Sequence, residues 1–67
     1  MNWETVKGDW KQFKGSARER WGKLTNDQVE QAAGDREQLE GAIQKAYAID
    51  KQNAKKQVDE WVASLRN

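Results

Sequence analysis

The apolar residues between Trp3 and Leu24 fall at positions 3, 6, 10, 13, 17, 21 and 24. At 100° per residue they occupy one stripe about 80° wide, which predicts a single amphipathic helix over this stretch. Gly22 is expected to end that helix as a C′ glycine. Thr25 then reads as an N-cap with Gln28 at N3, a capping box, and Leu24 and Val29 are placed for the accompanying hydrophobic staple. A short second helix follows at about 26–33, stopped by Gly34. Asp35 caps a third helix, with Gln38 at N3 and an apolar face of Leu39, Ala42, Ile43, Ala46 and Tyr47. Asp50 caps a fourth, with Ile49 at N′ facing Ala54 and a face of Ala54, Val58, Trp61, Val62 and Leu65. No period-two run occurs, so no strand is expected. The pattern predicts an all-α fold of four helices.

A weak internal repeat organises these elements. Gly8-Asp9-Trp10-Lys11-Gln12-Phe13-Lys14-Gly15 aligns with Gly34-Asp35-Arg36-Glu37-Gln38-Leu39-Glu40-Gly41, sharing G-D-x-x-Q-[FL]-x-G. The same register sets Trp21 against Tyr47, and one residue of slippage sets Leu24-Thr25 against Ile49-Asp50. The expectation is one domain over 1–67 with half-repeats at about 1–33 and 34–67, two hairpins that bury their faces only against each other.

Composition changes the picture in two ways. Leu, Ile, Val and Phe number ten of 67 residues, about 15%, below the roughly 20% at which disorder becomes the default. Disorder also needs a high net charge, and here it is +1. The four Trp residues, which bury about 150–250 Å² each, compensate for the short aliphatic list. The expected core is Trp3, Val6, Trp10, Phe13, Trp21, Leu24, Val29, Leu39, Ile43, Tyr47, Ile49, Val58, Trp61, Val62 and Leu65. A chain of this size has little stability to spare.

The second change is chemical. There is no His, Cys or Pro, which removes the thiolate nucleophile, cysteine zinc sites, disulfides and the commonest general base. Neither Ser16 nor Tyr47 has such a base to activate it. The glycines at 8, 15 and 22 do not form a phosphate loop. Asp35, Glu37 and Glu40 are close in sequence but diverge on a helix, and helix N-terminal acids suit the macrodipole without any metal. No catalysis, metal, cofactor or small-molecule substrate is expected. No run approaches the roughly 20 apolar residues that span a bilayer, and the start lacks a signal-peptide core, so a cytoplasmic location is expected. Expected partners are none in particular, with the chain a monomer or weakly self-associating.

Nucleic acid is the binding class with most to support it. Lys7, Lys11, Lys14 and Arg18 are spaced four, three and four, one helical stripe beside the aromatic one. Residues 1–23 hold six Lys/Arg against three Asp/Glu. Aromatics beside cations can stack single-stranded bases, and the same face could lie on a membrane surface. The plainer alternative is a solvated cationic edge whose aromatic neighbours are core; the pI of about 8.0 lies below the value of about 9 typical of a binding domain. The membrane role would also strip the second half of its packing partner. Gly8, Gly15 and Gly22 lie opposite the apolar stripe. They imply close approach of another backbone, a loose helix, or simple tolerance on an exposed face.

Asn2-Trp3, Gly8-x-Trp10-Lys11-x-Phe13-Lys14-Gly15, Trp21-Gly22-Lys23-Leu24-Thr25 and Gly34-x-Arg36-x-Gln38-Leu39-x-Gly41 together resemble the CsbD-like family of small bacterial proteins associated with the general stress response. The resemblance runs from Met1 to about Val62. It implies two α-hairpins packed crosswise, a pseudo-duplication similar to SAM and helix-hairpin-helix domains, and it carries over no catalytic residue. The family's usual Tyr-Gly before the last helix is Tyr47-Ala48 here, which puts the glycine C-cap in question. Helix-hairpin-helix loops that grip phosphates normally have two nearby glycines. The Gly22–Thr25 turn has one and Ala48-Ile49-Asp50 has none. The resulting expectation is a non-enzymatic stress-associated protein, with a nucleic-acid-binding module or a hydrophilic protective protein as alternatives.

Overall fold

The computed structural model describes residues 1–65. The fold is all-helical, with no strand among the described residues: α1 (Trp3–Gly8), α2 (Trp10–Arg20), α3 (Asn26–Ala32), α4 (Arg36–Tyr47) and α5 (Lys51–Ser64). Five helices stand where the periodicity predicts four, because the first predicted helix is broken at Asp9. Asp9 has φ −131° and ψ 49°, a ψ about 90° from the helical value. Its N–H donates to Val6 O at 3.2 Å and its O accepts from Gln12 N at 3.0 Å, so short turns replace the helical ladder. Gly8 and Asp9 are poor helix formers, and the break lets Trp3 reach Gly34 O with its indole N–H at 2.9 Å.

The helix stops where expected, with Gly22 at C′, but without a left-handed glycine. Helix α2 ends at Arg20 with Trp21 as C-cap at φ −122°, ψ 77°, and Gly22 is not among the positive-φ residues. Turning Trp21 inward takes the chain out of the helix without a left-handed residue. Its indole is buried and donates to Gln57 Oε1 at 2.8 Å.

The predicted helix starts form as side-chain chemistry dictates. Thr25 Oγ1 accepts from Gln28 N at 3.1 Å and Gln28 Oε1 accepts from Thr25 N at 2.9 Å, the complete capping box. Asp35 accepts from Glu37 N and Gln38 N at 3.0 and 3.4 Å. Asp50 accepts from Asn53 N at 2.7 Å. Between α3 and α4 the chain turns through two left-handed residues, Ala33 (φ 48°) and Gly34 (φ 83°). Gly34 is required there: a Cβ would lie 3.3 Å from the Lys7 backbone. Helix α4 ends on Ala48 in the left-handed region (φ 54°), so alanine occupies the position where the family pattern has glycine.

Helix α4 packs on α3 and α5, and α2 packs on α3. The buried side chains form one cluster. Of the expected core, Val6, Trp10, Trp21, Leu24, Val29, Leu39, Ile43, Val58, Trp61 and Val62 are buried. Trp3, Phe13, Tyr47, Ile49 and Leu65 are half-buried against them. Ala17, Ala32 and Ala54 join the cluster, and Glu40 is buried as well.

Candidate nucleic-acid interface

The four cations singled out by spacing sit on two helices. Lys7 is exposed on α1, beyond the Asp9 break, with its backbone against Gly34. Lys11, Lys14 and Arg18 come together on α2, on one wall of a groove of about 760 Å³ whose other wall is α3. That second wall is not neutral: it carries Asn26, Asp27 and Glu30. Lys14 Nζ pairs with Glu30, and Arg18 Nη1 donates to Asn26 Oδ1. These contacts tie α2 to α3, and the Lys14–Glu30 pair stays partly solvated, so it contributes little stability. The Arg18 Nε is buried without a protein acceptor.

Two further cations of the basic segment lie over rings. The Arg20 guanidinium is 5.2 Å from the Trp21 ring and the Lys23 ammonium 5.2 Å from the Tyr47 ring. Among the described residues, Lys7 and Lys11 have no ion-pair partner.

The aromatics beside this face point inward. Trp61 stands between Trp21, Trp10 and Trp3, with ring centroids 5.4, 6.3 and 6.5 Å away, and Trp3 lies 5.8 Å from Trp10. Every indole N–H is bonded within the fold. Trp3 donates to Gly34 O and Trp10 to Val29 O, both at 2.9 Å. Trp21 donates to Gln57 Oε1 and Trp61 to Ser16 Oγ, at 2.8 and 3.1 Å. A buried Trp needs such a partner. The rings that could stack on bases are thus part of the core cluster.

The hydroxyls serve the same packing. Ser16 receives the Trp61 indole, Ser64 Oγ donates to Trp61 O at 2.7 Å, and Tyr47 OH accepts from Lys23 N at 3.1 Å. Asp35 caps α4, Glu37 faces Lys51 at 3.8 Å and Glu40 is buried on Arg36, so the three acids do not converge. Among the described residues no group of His, Cys, Asp and Glu is arranged to hold a metal ion, and no helix is long and apolar enough to cross a membrane.

One polar node escaped the spacing argument. Arg36 Nε donates to Glu40 Oε2 at 2.7 Å, and its Nη2 donates to Lys55 O at 3.2 Å and Asp59 Oδ1 at 2.5 Å. Its guanidinium also lies 5.9 Å from the Trp3 ring. Burial opposes the charge on Arg36, but the hydrogen bonds and charges of Glu40 and Asp59 outweigh it and push its pKa up. The four-residue spacing of Arg36 and Glu40 is the signal in the sequence; the burial of Glu40 is not.

The glycines at 8, 15 and 22 are exposed, and a Cβ at any of them meets nothing within 4 Å. Close approach of another backbone is therefore not their reason.

The family model described as CsbD-like matches residues 4–56. The chain belongs to the CsbD-like family. Among CsbD-like relatives, UPF0337 protein ECA0631 of Pectobacterium atrosepticum is 49% identical over 61 residues, covering 91% of this chain and 88% of that protein. UPF0337 protein YjbJ of Escherichia coli K12 is 48% identical over 61 residues, with 91% and 88% covered. UPF0337 protein RPA4217 of Rhodopseudomonas palustris is 47% identical over 66 residues, with 98% and 100% covered. No solved structure matches the chain. The CsbD-like match runs from α1 into α5 and takes in all four cations of the candidate interface.

Proposed function

We propose that this CsbD-like protein serves the bacterial general stress response in the cytoplasm without catalysis, with residues 1–67 acting as one unit through a polar exterior of mixed charge. The inward orientation of all four indoles carries this reading. It leaves Met1, 45% exposed, as the exposed large apolar side chain among the described residues. A surface with so few exposed large apolar side chains favours hydration over hydrophobic capture of partners. Charges of both signs keep such a surface soluble at high concentration. The lack of His and Cys and the packing duties of Ser16, Ser64 and Tyr47 support the absence of a reaction. The test is recovery of a labile enzyme after drying or heating, with this protein in high molar excess. Recovery several-fold above that with an equal mass of an unrelated folded protein is expected. Recovery equal to that control overturns the reading.

A second reading, a nucleic-acid-binding module using Lys7, Lys11, Lys14 and Arg18, is favoured by one observation: three of these cations line the same groove. Titration with single- and double-stranded nucleic acid at two salt concentrations separates the readings. Binding that weakens with salt and disappears when all four cations become Gln supports the module. No binding at low salt removes it.

A further inference from the structure

The apolar positions 3, 6, 10, 13, 17 and 21 stay in phase across Gly8-Asp9, as they would in one uninterrupted helix. The chain nevertheless breaks there, with ψ of Asp9 at 49°. One segment thus has two competing conformations. The broken one lays α1 on its own chain. Val6 is buried, the Trp3 ring lies 5.8 Å from Trp10 and 6.5 Å from Trp61, and its indole N–H rests on Gly34 O. The continuous one restores the helical ladder across the junction. It also carries α1 off this bed and uncovers Val6 and Trp3.

A second copy with its own arm extended removes that cost, because its α1 fits the vacated bed and the exchange is reciprocal. We propose that α1 is an exchangeable arm, and that the chain forms a dimer with a second copy by swapping α1 about the Gly8-Asp9 hinge. Domain swapping needs no new interface, since every contact of the arm recurs between chains. The arm itself is suited to exchange. It has six residues, too few to persist as a helix unless it is continued into α2 or held on a bed. The hinge is unencumbered as well. Gly8 is exposed with open space around it, and Asp9 makes no side-chain cap bond that would lock the break.

Gly8→Ala combined with Asp9→Ala puts the strongest helix former at the hinge; the gain specific to the extended form comes from Asp9, because Gly8 is already helical in α1. Both chains of a swapped dimer benefit, so sedimentation equilibrium should show the dimer dissociation constant falling several-fold. A variant that remains monomeric up to millimolar concentration overturns the proposal. The exchange itself is read with a benzophenone on a cysteine at position 7 (Lys7→Cys), because Lys7 adjoins Gly34. Isotopically labelled and unlabelled chains are unfolded together, refolded and irradiated. In the dimer fraction, crosslinks should join labelled position 7 to the unlabelled peptide containing Gly34. Crosslinks confined to single chains in that fraction mean side-by-side association and overturn the swap. If the double variant fails to fold, the same crosslinking on the parent hinge at millimolar concentration decides, and a purely monomeric sample there overturns the proposal.

Discussion

Gly8-Asp9-Trp10 and Gly34-Asp35-Arg36 occupy equivalent places in the internal repeat, and each joins one helix to the next. Their physics differs at every position. Gly34 has φ 83° and a Cβ there would press on the Lys7 backbone, whereas a Cβ at Gly8 meets nothing. The Asp35 side chain accepts two backbone N–H groups of its helix, whereas the Asp9 side chain accepts none. Trp10 is buried and donates to Val29 O, whereas Arg36 is half-buried and holds Glu40 and Asp59. The two junctions meet at Trp3, whose ring lies 5.8 Å from Trp10 and 5.9 Å from the Arg36 guanidinium. A repeated tripeptide thus marks where helices join, while tertiary contacts decide what each junction contributes.

The largest expected effect falls on the apolar side of Trp3. Trp10→Ala should cost about 3–5 kcal/mol, the usual penalty for a buried Trp, and denaturant unfolding checks it. A loss under about 1 kcal/mol would mean that Trp10 packs no better than an exposed residue. On the polar side, Arg36→Ala should cost about 2–3 kcal/mol, mainly because it leaves the buried Glu40 carboxylate without its partner. Adding Glu40→Leu should recover part of that loss. A double variant no more stable than Arg36→Ala alone would place the cost in the Trp3 contact instead.

The junctions themselves come next. Gly34→Ala should lower stability by about 2 kcal/mol, combining left-handed strain with the Lys7 contact. Gly8→Ala should be neutral or stabilising, and equal losses at the two sites would erase the distinction drawn between them. Asp35→Ala should cost about 1 kcal/mol as a lost N-cap, and Asp9→Ala less than about 0.5 kcal/mol, within the range of ordinary surface changes. Thermal or denaturant unfolding of the pair gives the ordering directly.

These contrasts explain what was legible in advance. The starts of α3, α4 and α5 could be read from Thr25, Asp35 and Asp50, because a cap acts on N–H groups within three residues. The core faces of α2, α4 and α5 could be read from periodicity for the same local reason. The Asp9 break could not, since it accompanies a bond from Trp3 to Gly34, far along the chain, and the apolar stripe stays in phase with or without it. Spacing rightly put Lys11, Lys14 and Arg18 on one face. It carried no information about Glu30 and Asn26 facing them from α3, because pairing between helices is absent from the period of either helix.

The expected gains in stability concern the second turn of each repeat, where Trp21-Gly22 corresponds to Tyr47-Ala48. The residues are allotted against their conformations: Gly22 is not in the left-handed region, and Ala48 is, at φ 54°. Ala48 is held there by closure of the helix end, its N–H and that of Ile49 both donating to Gln44 O. This is the bonding a glycine normally adopts without strain. Left-handed backbone costs a non-glycine residue about 1–2 kcal/mol, and glycine returns about 0.4–1 kcal/mol of that through the freedom of the unfolded chain. Ala48→Gly should therefore raise stability by about 0.5–1 kcal/mol, the balance of those opposed terms. Gly22→Ala should raise it by a similar amount, because its backbone already suits alanine and its surroundings are open. Denaturant midpoints of the two single variants check both signs. A loss at position 48 would mean that the Ala48 methyl makes packing contacts worth more than the strain it causes.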